Sequence, residues 1–193
     1  MDRCCTPRSV ILRLTLTHAH ATRMPVFMRN ASPLLIKKRK SWREKVADSK
    51  GLPKIGKVMG KMTRRWGTGT MVIPAPREVD QVMRTVPMGK LITINEIRAV
   101  LASKHNVNLS CPITTGIFAW IAAHAAEEAA AAGEKNITPY WRTLKTGGEL
   151  NANYPGGVSA LTKRLRAEGH KVAQKGRRYF VVDFAKSLLS AAR

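Results

Sequence analysis

A mainly helical domain with a small β wing, a winged helix-turn-helix, is what this 193-residue sequence predicts. Three observations predict it. Four stretches carry apolar residues at helical spacing. One stretch near the C-terminus reads as two short strands around a glycine turn. The formal net charge is +22, from 34 Lys and Arg against 12 Asp and Glu, which suits a domain that meets a polyanion.

The elements follow in order from Met71. MVIPAP reads as a short extended entry. PREVDQVMRTV is the first helix, with Pro76 suited to a first turn and Val79, Val82 and Met83 at helical spacing. Pro87 to Gly89 is a turn. LITINEIRAVLASKH is the second helix. Thr93 and Glu96 have the spacing of a capping box, and Ile94, Ile97, Val100 and Leu101 form the apolar stripe. The third helix starts at Cys111-Pro112 and runs to Gly133, a natural C-cap. Its small residues Gly116, Ala119, Ala122 and Ala123 suit close approach of another backbone, whether a neighbouring helix or a minor groove. VSALTKRLRAEG is the fourth helix, with Leu161 and Leu165 inward. HKVAQKGRRYFVVDF is the hairpin, turning at Lys175-Gly176.

Charge divides the chain. Residues 1–66 carry 17 Lys and Arg and 3 Asp and Glu; the remainder carries 17 and 9. Residues 1–23 hold one acid and four arginines; they resemble a targeting leader or a translated leader ahead of a start at Met24 or Met28, and an artefactual or disordered extension is the commoner case. Residues 24–70 are poor in apolar side chains and read as a flexible basic arm. Within it Trp42 and Trp66 either anchor the arm or stack on bases. Residues 71–185 make the domain, and residues 186–193 a tail. The expected location is cytoplasmic and nucleoid-associated in a bacterium, with organelle targeting by residues 1–23 left open.

The three cysteines, Cys4, Cys5 and Cys111, form no CxxC pair, so neither a disulfide framework nor a zinc site is expected. The five histidines are scattered, and no metal or cofactor is expected. No apolar run approaches the roughly 18–20 residues that span a bilayer, so no membrane partner is expected. Nucleotide-binding glycine loops and HExxH are absent from the sequence. Cys111 precedes a helix, where a thiol can be activated, yet a buried inert cysteine is the commoner case. Glu127 and Glu128 read as a solvated helix end, and Glu168 as a polar helix end. Arg142 sits between aromatics and a turn. It can hold a phosphate by bidentate hydrogen bonds or brace loop carbonyls.

Three stretches, VPMGKLITINEIRAVLA, TTGIFAWIAAHAA and PYWRTLKTGGELNANYPGG, followed by a helix ending in Glu168-Gly169, resemble the DNA-binding domain of alkylguanine-DNA alkyltransferases, the methylated-DNA-protein-cysteine methyltransferases. The resemblance spans roughly residues 74–170, with no counterpart to that family's N-terminal α/β domain. It implies a helix-turn-helix that enters the minor groove of double-stranded DNA and flips an alkylated guanine into a pocket. It also implies that Tyr140 stands where the family has its nucleophilic cysteine, and Trp141 where it has the relay histidine. Arg142 and Glu168 are kept. A phenol is a poor soft nucleophile and an indole is no base, so alkyl transfer is not expected.

The expectation is then a non-catalytic protein similar to the alkyltransferase-like branch, which recognises alkylated guanine and signals to a repair partner. Tyr140 and Tyr154 would wall the pocket, with Trp141 beside it, and Gly156-Gly157 would let the backbone approach the base. Thr115 or Gly116 would stand where the family has an intercalating arginine. Arg142, Lys145, the arm and the wing would hold phosphates. The alternative is a general basic winged-helix nucleic-acid-binding protein without lesion preference. An enzyme with altered chemistry at Cys111 or Tyr140 is a third, less favoured reading.

Overall fold

The computed structural model describes residues 39–49 and 51–189. The leader expected in residues 1–23, and the arm up to residue 38, lie outside them. In chain order the elements are α1 (Trp42–Ala47), β1 (Lys54–Lys57), α2 (Lys61–Trp66), β2 (Thr70–Ile73), α3 (Pro76–Arg84), β3 (Ile92–Thr93) and α4 (Ile94–Lys104). Then come β4 (Leu109–Ser110), α5 (Pro112–Ala131), β5 (Thr143–Leu144), α6 (Gly157–Ala167), β6 (Val172–Lys175), β7 (Arg178–Val181) and α7 (Phe184–Ser187). Short 3-10 turns cover Tyr140–Arg142 and Thr146–Gly148. The architecture is mainly α with small sheets, and the β6–β7 hairpin stands where the wing is expected.

Local chemistry sets the helix starts. Thr93 caps α4, accepting from the Asn95 amide at 3.2 Å, while Glu96 accepts from the Thr93 amide at 2.8 Å. Pro76 opens α3, and the Glu78 carboxylate accepts from the Ala75 amide at 3.0 Å. The helices bury one core. Val79 and Met83 of α3, Ile97 and Leu101 of α4, Ala119, Ala122, Ala123 and Ala126 of α5, and Leu161 and Leu165 of α6 meet in it. Each fully buried leucine or isoleucine contributes about 1.5–3 kcal/mol over its exposed state. Ala119, Ala122 and Ala123 have no exposed surface, so the small face of α5 serves helix packing and does not meet a groove.

Part of the expected arm is folded. Ser41 and Glu44 form a capping box at the start of α1, with the Glu44 amide donating to Ser41 Oγ at 3.1 Å and the Ser41 amide donating to Glu44 Oε2 at 2.7 Å. Trp42 lies flat on the His124 ring at 4.6 Å and edge-on to Trp120 at 4.8 Å. Its role is anchoring. Three aromatic rings supply the apolar area that the rest of α1 lacks. Further on, β1 pairs antiparallel with β2 from Lys54↔Ile73 to Lys57↔Thr70, and β2 pairs parallel with β4. Val58, Met71 and Cys111 form a second small core beneath this sheet.

Of the expected tail, residues 186–189 are described and residues 190–193 lie outside the described residues. The Leu91 amide donates to the Ser187 carbonyl at 2.8 Å, and the Leu189 amide donates to the Leu91 carbonyl at 2.7 Å. Leu188 and Leu189 pack on the main core, so residues 186–189 belong to the domain. The hairpin turns at Gly176-Arg177, one residue later than predicted, because Lys175 pairs with Arg178.

Candidate functional site

Two anchors hold the segment Pro139 to Arg142. Ahead of it, buried Thr138 donates from Oγ1 to Asp80 Oδ1, and Asp80 also accepts from Arg84 Nε at 2.9 Å. Behind it, β5 pairs parallel with β3, Ile92 opposite Thr143 and Thr93 opposite Leu144. Between them the Arg142 amide donates to the Pro139 carbonyl at 3.0 Å and closes a 3-10 turn. The turn sends Tyr140 inward and brings Trp141 and Arg142 to the end of α6.

Tyr140 is 1% exposed. Its ring meets Trp141 edge-on at 5.5 Å and Tyr154 edge-on at 5.8 Å. Its hydroxyl donates to Glu127 Oε1 at 2.7 Å. Arg164 of α6 pairs with the same carboxylate oxygen, and its guanidinium lies 4.5 Å from the Trp141 ring centre and 5.3 Å from that of Tyr140. Burial, then the hydrogen bond to Glu127, pushes the phenol well above its ordinary value near 10. Burial does the same to Tyr154, which is 3% exposed. Both stay neutral throughout the physiological range. Tyr140 therefore presents no phenolate.

Trp141 and Arg142 converge on Glu168. The Trp141 indole donates to Glu168 Oε1 at 2.7 Å. Arg142 donates from Nε to Oε2 at 2.8 Å and from Nη2 to Oε1 at 2.8 Å, and from Nη1 to the Val86 carbonyl at 2.6 Å. The Gly89 amide donates to Glu168 Oε2 at 3.3 Å. Burial alone would raise the Glu168 carboxyl. The bonds from Arg142, Trp141 and Gly89 outweigh it and hold the group below its ordinary range. The side chains of Arg142 and Glu168 are 12% and 7% exposed. Of the two roles open to Arg142, the geometry selects the brace. It ties the 3-10 turn, the end of α6 and the Val86 carbonyl together, and it is not free to hold a phosphate.

The other expected site residues divide. Tyr154 joins the Tyr140 cluster. Gly156, at φ +71, turns the chain from Tyr154 into α6, and a Cβ there would meet that of Ala160 at 2.5 Å. Gly157 is the first residue of α6. Thr115 is fully buried and donates to the Cys111 carbonyl at 2.7 Å, so it is no surface contact. Gly116, the next residue and about 100° further around α5, is half-exposed, with open space above its Cα. Lys145 pairs with Glu149 at 2.9 Å, which also accepts from Arg178 at 3.4 Å. Cys111 lies with Val58 and Met71 in the second core, not in the Tyr140 cluster.

Sequence reasoning missed Glu127, Arg164 and Asp80. Glu127 reads as a solvated helix end, but it lies one residue past buried Ala126 and four past buried Ala123, at the edge of the packed stripe. That position is the available signal.

A basic surface adjoins the cluster. Lys163 and Arg166 of α6 and Lys171, Lys175 and Arg177 of the hairpin are exposed and make no ion pair among the described residues. Lys163 and Arg166 line a cavity of about 520 Å³ with Val158, Ser159, Thr162 and Tyr179.

No protein-family model matches the sequence. No curated protein matches it. Two solved structures resemble the chain: S. pombe Atl1 in complex with damaged DNA containing O6-carboxymethylguanine, and S. pombe ATL in complex with DNA. Each is 16% identical, with a TM-score of 0.43, over 59% of this chain and 93% of that one.

Proposed function

We propose that the chain is a non-catalytic DNA-binding protein of the alkyltransferase-like kind, which grips double-stranded DNA through α6 and the β6–β7 hairpin. The observation that carries this reading is the basic surface of Lys163, Arg166, Lys171, Lys175 and Arg177, exposed and without an ion pair among the described residues, with Asp183 acting on Lys171 only through space. Such a surface repels itself unless counterions or phosphates neutralise it. The Tyr140 cluster supports the non-catalytic half. A neutral buried phenol bonded to a carboxylate is no nucleophile, and Trp141 has no basic nitrogen to activate one.

Recognition of an alkylated guanine, with signalling to a repair partner, is a second reading. PYWR and YPGG favour it through the resemblance they carry. It requires a base to displace rings that are 1% and 3% exposed and packed edge to face. We therefore favour binding without lesion preference.

The test pairs two measurements on the full chain. Fluorescence anisotropy with a plain duplex across a salt series should give a log–log slope of several units, near −0.9 per neutralised phosphate. Intact mass after incubation with O6-alkylated duplex should stay unchanged. No duplex binding at low salt overturns the DNA reading, and a gained alkyl mass overturns the non-catalytic one.

A further inference from the structure

Between Asp48 and Glu78 the sequence holds no acid. Within that interval Lys54 and Lys57 stand on β1 and Lys61, Arg64 and Arg65 on α2. All five are exposed, and none forms an ion pair among the described residues. Lysines on β1 have a ready explanation: β1 is the edge of the β1-β2-β4 sheet, and edge lysines discourage pairing with another chain. That account does not reach α2.

In α2 the cations work against the fold. Lys61 lies three residues from Arg64 and four from Arg65, so like charges share one helix face. No acid stands in the first turn, and no side chain caps the helix at Gly60. A six-residue helix has little stability of its own. The segment is nevertheless held in place. Val58 is buried with Met71 and Cys111, its amide donates to the Gly69 carbonyl at 2.8 Å, and the Thr70 amide donates to Asn108 Oδ1 at 2.8 Å. A repulsive cluster on a fixed scaffold is stabilised by whatever neutralises it. Ile55, Met59 and Met62 are exposed beside the cations, at 53%, 68% and 37%, and supply apolar contact for a sugar edge.

We propose that the β1–α2–β2 hairpin is a second nucleic-acid contact, a comb of five cations that grips duplex phosphates in addition to the α6 and β6–β7 surface. The proposal rests on the DNA-binding reading above.

The experiment compares salt slopes for a plain duplex. The variants are Lys61→Ala/Arg64→Ala/Arg65→Ala, the charge-preserving Lys61→Arg/Arg64→Lys/Arg65→Lys, and Lys171→Ala/Lys175→Ala/Arg177→Ala in the wing. The alanine hairpin variant should lose roughly 2–3 units of slope, near 0.9 per phosphate, and the charge-preserving variant should keep the wild-type slope. If the alanine hairpin variant keeps wild-type slope and affinity while the wing variant loses both, the hairpin proposal fails and the DNA reading stands. If the charge-preserving variant loses as much slope as the alanine variant, shape and not charge is responsible, and the proposal fails. A wild-type chain that does not bind the duplex ends both.

Discussion

The hydroxyl of Tyr140 donates to Glu127 Oε1 at 2.7 Å, across the contact between α5 and the Tyr140–Arg142 turn. One hydrogen bond thus joins buried Tyr140 and its turn to α5. Arg164 meets the same oxygen from α6, so three segments share one carboxylate. The cluster has the form of a structural lock.

Tyr140→Phe removes the lock's hydrogen bond but keeps the ring. Because Glu127 retains Arg164, the loss should be about 1–2 kcal/mol. Tyr140→Ala also opens a cavity among Trp141, Tyr154 and Arg164, and should cost roughly 3–5 kcal/mol. Urea denaturation measures both. Equal costs for the two variants would mean that the ring contributes nothing beyond its hydroxyl.

The phenols make stability fall at high pH. The folded chain holds the Tyr140 and Tyr154 protons above the ordinary value near 10, whereas the unfolded chain releases them there. The unfolded state then binds fewer protons, so stability is complete below pH 10 and declines as pH rises above it. Tyr140→Phe should flatten this decline. An unchanged pH profile in the variant would show that Tyr140 titrates normally.

Glu168 gives the opposite sign. Its carboxyl is held below the ordinary range, so its contribution is present above the unfolded value near 4.3 and is lost as pH falls through the folded value. Glu168→Gln leaves Arg142 buried without its anion and should cost roughly 3–5 kcal/mol. Arg142→Lys should be nearly as harmful, since an ammonium cannot reproduce the bidentate geometry. If Arg142→Lys keeps full stability but weakens DNA binding, Arg142 is a phosphate contact after all.

Trp42 tests how much of the N-terminal segment belongs to the fold. Trp42→Ala removes its contacts with His124 and Trp120, while the site remains partly open to water. The expected loss is roughly 2 kcal/mol, below the ~3–5 kcal/mol for a fully buried ring. A melting temperature equal to wild type would show that α1 is not anchored.

The helices were legible because each carries a local signal. Thr93 with Glu96 marks the start of α4, and Pro76 marks that of α3. α1 has the same kind of signal in Ser41 and Glu44, but six residues of mixed charge cannot sustain a helix without partners. Its partners, Trp120 and His124, lie about eighty residues away. The site was half legible for the same reason. Tyr140, Trp141, Arg142, Tyr154 and Glu168 converge as their motifs suggest. What each does is set by long-range contacts: Glu127 on Tyr140, Val86 on Arg142, Asp80 on Thr138. Thr115 failed as a surface residue because helical phase, not sequence position, decides which side of α5 it occupies.

Equilibrium competition at moderate salt between two otherwise identical duplexes, one with a single O6-alkylguanine and one without, tests the central claim most directly. With Tyr140 and Tyr154 buried and packed edge to face at 5.8 Å, the two duplexes should bind within about twofold of each other. A preference of about tenfold or more for the alkylated duplex, near 1.4 kcal/mol, would mean that the cluster opens to read a base, and would contradict the account.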